Sequence, residues 1–364
     1  MTKDDKRKLT AQIDVWPPNA AFAADWNSLL EQTSFASAFD HLEWIEIGVG
    51  QFTKDAKILP CRFLDQEGTL ACMGIFRMTE ESGKILPRTV VRTIEFNSQR
   101  ITPFIGADQQ TTAEAIVALH EAINKPVDSF DFFKLDPQGG TLEKLSSILE
   151  AKAVPHSLEV FNEQPYFPLV GTWVEYLSDR TQGHRKRIRR YTRKLWEKYP
   201  DYHFTRYQSK TDFTEESFSS VMEEILALFD ASWQAEALAE ENALEDLKSF
   251  YQQVATVFLE KGLLDLCTLH CDHTLIAFEL NLVYHGSVHM LFGAYNRDYA
   301  DWSPGNAILS EIIQDSYKKE YEKIEFGGEY LDYKKLWTKS MAPSYHLRVH
   351  GNTLRAKIKK IIDR

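Results

Sequence analysis

GAYNRDYADWSPGNAILSEIIQDSYKKEY, residues 293–321, is the stretch whose reading decides the fold. It completes a run, SVHMLFGAY (287–295), that alternates as a strand. His289, Leu291, Gly293 and Tyr295 are expected on one face and Val288, Met290 and Phe292 on the other. After a polar loop, Ser303 stands at a helix N-cap and Pro304 at the first helical position, where a missing N–H costs nothing. Ile308, Leu309, Ile312 and Ile313 form the buried stripe of that helix. Gly305 adds no side chain, so its backbone can be approached closely. Free N–H groups at such a start make Ser303, Pro304, Gly305, Asn306 and Ala307 a candidate anion site. A plain well-capped helix is the alternative.

Downstream, KIEFGGEYLDYKKLW (323–337) is a strand ending in two glycines, then an aromatic and basic cluster. Tyr333, Lys334 and Trp337 are candidate substrate contacts there. The competing reading is a turn followed by a lysine reaching to solvent. Upstream, LLDLCTLH (263–270) and LIAFELNLVY (275–284) are two strands joined by a short turn. Glu279 sits in the middle of the second, a carboxylate among apolar residues, where desolvation would raise its pKa and suit it as a base. His289 on the next strand and Tyr295 at its end complete the proton-transfer candidates. Glu279 facing solvent is the simpler alternative.

Working outward, the chain has 364 residues, 43% hydrophobic and 26% charged, a composition that suits two globular domains. The order of helices, strand meander, helix and strand appears twice. In the first half the meander is ILPCRFLDQEGTLACMGIFRM (58–78). A helix starting at a Thr111/Glu114 capping box and the strand SFDFFKL (129–135) follow it. Two prolines and a glycine in PYFPLVGTW (165–173) punctuate the chain, so the boundary is drawn between 1–168 and 169–364. The fold class expected is α/β (α+β), with two mixed sheets each flanked by helices.

The net charge of −11 argues against a global hold on nucleic acid. One segment runs against it: between Arg180 and Lys198 there are nine basic residues and one acidic. Ile188, Tyr191 and Leu195 make a narrow apolar stripe, with Arg185, Arg189 and Arg193 on another face. Phosphates of a cofactor, RNA or anionic lipid are possible partners, and a solvated basic face is the alternative. Cys61, Cys72, Cys267 and Cys271 form no CxxC pair. Cys267 and Cys271, with His270 and His273 nearby, read as strand cysteines, and no metal is expected. The N-terminus lacks an apolar signal segment and no stretch reaches about 18 apolar residues, so a cytoplasmic protein is expected. GxSxG, GxxxxGK[ST], HExxH and GxGxxG are all absent.

Taken together, residues 165–340 resemble the GNAT-type acetyltransferase domain of CelD/BcsL-like proteins, relatives of the FemAB peptidyltransferases. The resemblance rests on HRKRIRRYTRKL (184–195), Trp233, the strand from Tyr295 into Ser303-Pro304-Gly305, and Glu325-Phe326-Gly327 followed by Tyr333, Lys334 and Trp337. It implies a tandem GNAT-like fold, acyl-CoA (acetyl-CoA above all) as donor, an amine as acceptor and direct transfer in a ternary complex. It also implies that Ser303–Ala307 holds the CoA pyrophosphate. Where the superfamily favours Arg or Gln before this loop, Trp302 stands, with Arg297 as the nearest arginine to replace it; Glu325 replaces an aspartate. The first half has an acidic stretch, TPFIGADQQTTAEA (102–115), in place of such a loop, and is expected to build the acceptor cleft. Aminoacyl transfer from aminoacyl-tRNA, with the basic helix as RNA contact, and a non-catalytic binding module are the alternatives.

Overall fold

A computed structural model describes residues 8–53, 56–82, 87–96, 100–123, 125–137, 142–213, 217–232, 235–236, 243–351 and 353. Trp233 lies outside the described residues. The chain divides into two units: Met1–Glu163 with Pro343–Arg364, and Gln164–Ala342. The last strand therefore belongs with the first unit rather than with all of 169–364. No local sequence signal reports such a return, because it depends on a partner strand two hundred residues away.

In the first unit, β1 (Thr10–Ile13), β2 (Lys57–Leu64), β3 (Leu70–Glu81) and β4 (Arg88–Thr93) form an antiparallel meander. Helices α1 (Ala20–Gln32) and α2 (Leu42–Phe52) lie between β1 and β2 in the chain. Helix α3 (Gln109–Ala122) then crosses to β5 (Ser129–Leu135), which runs parallel to β4. Helix α4 (Glu143–Ala151) leads into β6 (His156–Pro168). The returning strand β12 (Met341–His350) pairs antiparallel with β5. Phe63, Phe76, Phe104, Phe130 and Phe132 fill the core on one sheet face. The expected start of α3 at Thr111 is corrected. Asp108 caps it, accepting from the Thr111 N–H at 2.7 Å, while Glu114 is buried and bound to Lys152 at 2.5 Å. Asp is as good a cap as Thr and stands three residues earlier.

The second unit repeats the order. Helices α5 (Trp173–Ser178) and α6 (Gln182–Lys198), strand β7 (His203–Tyr207), and helices α7 (Phe218–Asp230) and α8 (Leu244–Glu260) come first. The strands β8 (Leu264–Cys271), β9 (Thr274–Tyr284) and β10 (Ser287–Tyr295) follow. Helix α9 (Pro304–Lys318) crosses to the short β11 (Lys323–Glu325), parallel to β10, before α10 (Asp332–Lys335). The strand order is β6-β11-β10-β9-β8-β7. Both units thus combine parallel and antiparallel strand pairs with helices packed on them, each carrying a parallel crossover after its meander. Cys267 and Cys271 are buried in β8, and left-handed Asp272 and His273 form the tight turn into β9.

One irregularity in β10 changes its faces. Register runs evenly to Met290↔Asn281 and resumes at Phe292↔Leu280, so Leu291 is an extra residue. Val288 and Met290 therefore share a face with Gly293 and Tyr295, under α6 and α9, and Val288, Met290 and Tyr295 belong to that core. His289 and Phe292 point to the other face, where Phe292 packs on Phe229 and Tyr251. The expected grouping of His289 with Gly293 and Tyr295 is corrected, because an inserted residue inverts a period of two.

Beneath α9, Arg206 is held by Asp265 at 2.6 Å and Asp315 at 3.0 Å, with Asp265 fully buried. Arg206→Met leaves that carboxylate unpaired. We expect it to destabilise the chain by about 3–5 kcal/mol, measured by urea unfolding followed by tryptophan fluorescence.

Candidate active site

The strands β10 and β11 pair only from Ser287↔Lys323 to His289↔Glu325. Beyond that, β10 runs on to Tyr295 while β11 ends and the chain turns at Gly327 and Gly328, both left-handed. A parallel pair that parts toward its carboxyl ends, with a helix starting at the mouth, is the place where α/β sheets take ligands. The helix here is α9.

Its start differs from a plain capped helix. Ser303 occupies the N-cap but is left-handed, φ 57°, and its side chain makes no capping bond. A serine in that region is strained, a cost of the kind that gathers at functional positions. Pro304 is at the first helical position as expected. Asn306 and Ala307 direct their N–H groups to the Ser303 carbonyl at 3.0 and 3.1 Å, and the Asn306 side-chain oxygen is buried without a hydrogen-bond partner. A Cβ built on Gly305 would meet nothing nearer than Tyr295 Cδ1 at 3.5 Å. The helix start is therefore open on its glycine side, with the Tyr295 ring beside it.

On the same sheet face, Glu279 of β9 pairs across to Gly293 of β10. A Cβ at Gly293 would overlap the Glu279 carboxyl, so the glycine makes the space the carboxyl occupies. Glu279 keeps some exposed surface, yet its carboxyl is desolvated and pushed up to about 8; the Lys334 charge counters this only in part. Lys334 is itself buried, 5% exposed, and donates to the Gly327 carbonyl at 2.5 Å. Desolvation pulls its ammonium down to about 8 despite the pull of Glu279 and Glu329. The reading of Lys334 as a solvent-seeking side chain is thus set aside. Tyr333 is 42% exposed, and its phenol is raised by desolvation and by Glu279.

Other candidates fall elsewhere. His289 is buried on the opposite face from Glu279, paired across with Leu282 and Glu325. Arg297 lies in the 3₁₀ turn before α9 and forms a two-pronged pair with Glu236, both bonds 2.8 Å. Trp337 is 0% exposed inside the core, so it braces the site from within and offers no contact surface. Its carbonyl accepts from Tyr176 at 3.1 Å. Arg185 donates to the Ser178 and Arg180 carbonyls at 3.0 and 2.8 Å, tying α6 to α5. Arg189 is exposed on α6, whose Ile188, Tyr191 and Leu195 are buried as the stripe required. The sequence reading passed over Gly293 and the Gly327 carbonyl. A glycine opposite a strand carboxylate becomes visible only once the register is known.

Residues 182–335 match the family described as "Acetyltransferase (GNAT) domain". That match lies wholly within the second unit. Across most of its length the chain is similar in fold to FemX, with a TM-score of 0.62 at 10% identity, covering 94% of this chain and 98% of that one. It is also similar to a conserved protein of unknown function from Bacteroides thetaiotaomicron, TM-score 0.58 at 10% identity, covering 93% and 100%. A third similar structure is the C-terminal domain of a putative lysylphosphatidylglycerol synthetase from Agrobacterium fabrum, TM-score 0.54 at 12% identity, covering 94% and 95%. At these identities the likeness is one of fold. No curated protein matches the chain by sequence. Among the described residues no helix is long and apolar enough to cross a membrane.

The Glu279 carboxyl in the GNAT domain has a folded pKa of about 8 against the ordinary 4.5, so the folded state holds a proton that the unfolded chain releases. Stability is then lost as pH rises from about 4.5 through about 8. Glu279→Gln cannot ionise there. Its melting temperature, relative to wild type, is expected to climb across that window and stay level outside it.

Proposed function

We propose that the chain transfers an acyl group from acyl-CoA, acetyl-CoA in the simplest case, to an amine acceptor within a ternary complex. The observation that carries this reading is the desolvated Glu279 carboxyl on the sheet face that the open start of α9 also shares. In this reading the helix start at Ser303–Ala307 holds the donor pyrophosphate through the Gly305 N–H and the positive end of the α9 dipole, and Gly305 lets it approach. The amine nitrogen forms its bond to the thioester carbonyl carbon and the carbon–sulfur bond breaks. Glu279, ionised at the moment of attack, accepts the proton the amine loses. Tyr295, beside Gly305, gives its hydroxyl proton to the departing thiolate and is reprotonated from solvent. Lys334 and Tyr333 bear on Glu279 electrostatically and line the acceptor side. Arg189 and the other exposed cations of α6, which packs against α9, supply counter-charge for the donor's phosphates. His289 has no part in this scheme, and the Arg297–Glu236 pair shapes the loop. No metal enters the reaction, and it belongs in the cytoplasm, where acyl-CoA is made and used.

A second reading is favoured by one observation. The outward face of α6 is basic along its whole length, as a nucleic-acid contact would be, and the fold is similar to that of FemX. On that reading the donor is an aminoacyl-tRNA, and binding weakens steeply with salt.

Calorimetric titration with acetyl-CoA and longer acyl-CoAs is expected to show one micromolar site, and Gly305→Glu, at a position where a Cβ meets no close contact, to abolish it. Absence of binding to any acyl-CoA by the folded protein would move the assignment to aminoacyl-tRNA. Glu279→Gln is expected to lower turnover by about 10²–10⁴-fold with acyl-CoA affinity retained. Wild-type turnover in that variant would remove Glu279 from proton transfer.

A further inference from the structure

The first unit carries a second charged surface that acyl transfer does not use. On the sheet face away from its phenylalanine core, Arg77 of β3 pairs directly across to Arg92 of β4, and Arg92 across to Asp131 of β5. Arg348 of β12 pairs across to Asp131 from the other side. Like charges directly opposite on neighbouring strands destabilise a sheet unless something lies between them.

Glu95 and Glu81 act on Arg77 only as charges through space, and each is bound to another cation. Glu81 is bound to Arg88 at 2.7 Å and to Arg92 at 2.5 Å. Glu95 is bound to Lys134 at 2.9 Å. Asp131, fully buried, is bound to Arg348 at 2.5 Å and to His346 at 3.2 Å, and holds Ser129 as well. Arg77 forms no hydrogen bond and no ion pair with any described residue, though it is partly buried. Its Nε is buried without a hydrogen-bond partner, as is the Thr79 hydroxyl two residues along the same face; the Arg92 Nε also lacks a hydrogen bond and lies 3.8 Å from the Asp131 carboxylate. Five cations (Arg77, Arg88, Arg92, Lys134 and Arg348) thus stand with four carboxylates, Glu81, Glu95, Asp131 and Glu159, the last of them paired with His346, in a chain whose net charge is −11.

We infer that Arg77 and Arg92 form a binding site for a compact anion, a carboxylate or phosphate group, on the sheet of the first unit. Two adjacent guanidiniums offer donors in the fork geometry that planar or tetrahedral oxyanions match, and Thr79 adds a hydroxyl on the same face. Bound anion removes the repulsion between the arginines and satisfies their buried N–H groups. The site stands on residues of the first unit alone and does not depend on the acyl-transfer reading.

The test is thermal unfolding of the Gly305→Glu protein, which closes the other anion site, in inorganic phosphate and separately in succinate, each matched in ionic strength with sodium chloride. A midpoint that rises and saturates with phosphate, with succinate or with both is expected, and which one acts identifies the group preferred. Adding Arg77→Gln is expected to abolish that rise. In sodium chloride alone, Arg77→Gln is expected to melt no lower than its parent, since it removes one of two facing charges. A rise that persists in Arg77→Gln would be a general salt effect and would overturn the inference. So would the absence of any rise, or a loss of stability in chloride that marks Arg77 as a structural residue.

Discussion

One inserted residue in one strand is the constraint on which the site depends. Leu291 shifts the pairing of β10 with β9, and from that point Gly293 and Tyr295 face α9 instead of the layer under α7 and α8. Without the shift, Gly293 would not lie against Glu279, and Tyr295 would not reach the start of α9. The bulge falls just after β10 leaves its last pair with β11 at His289, so the strand bends where it loses a neighbour. The open mouth, the carboxyl and the helix start are consequences of the same local change.

The site is maintained against several local costs. Ser303 is held left-handed, Glu279 is kept from water, and Lys334 is buried with a backbone carbonyl as its hydrogen-bond partner. The surrounding structure meets them. The aliphatic stripe of α9 is anchored in the core by Ile308, Leu309, Ile312 and Ile313, and Trp337 is fixed beneath the loop by Tyr176. The polar group at Arg206 secures the far end of α9 to β7 and β8, with its donors and acceptors satisfied by Asp265, Asp315 and Ser316. A rigid helix and sheet allow the strained positions to persist.

Much of the fold was legible because it is written in local pattern. The strands β8 to β10, the stripe of α9, the apolar line of α6 and the repeated order of elements all appear where the sequence pattern placed them. Glu279 was legible for the same reason, as a carboxylate out of place in an apolar strand. What was not legible depends on partners far away in the chain. The bulge at Leu291 leaves no mark in an alternating sequence, so His289 was placed on the wrong face. Trp337 looks like a surface aromatic beside two lysines, and only the packing of α5 and α6 shows it to be core. The return of β12 to β5, and the row of arginines from Arg77 to Arg348, are matters of non-local register.

The central claim is that Glu279 is a carboxyl held protonated near neutral pH, beside an open helix start. Infrared difference spectra of wild type minus Glu279→Gln, recorded as a function of pH without any ligand, test it directly. The account predicts a protonated-carboxyl stretch that persists through neutrality and titrates with a midpoint near 8. A band that disappears by pH 5 would show an ordinary solvated glutamate and contradict the account.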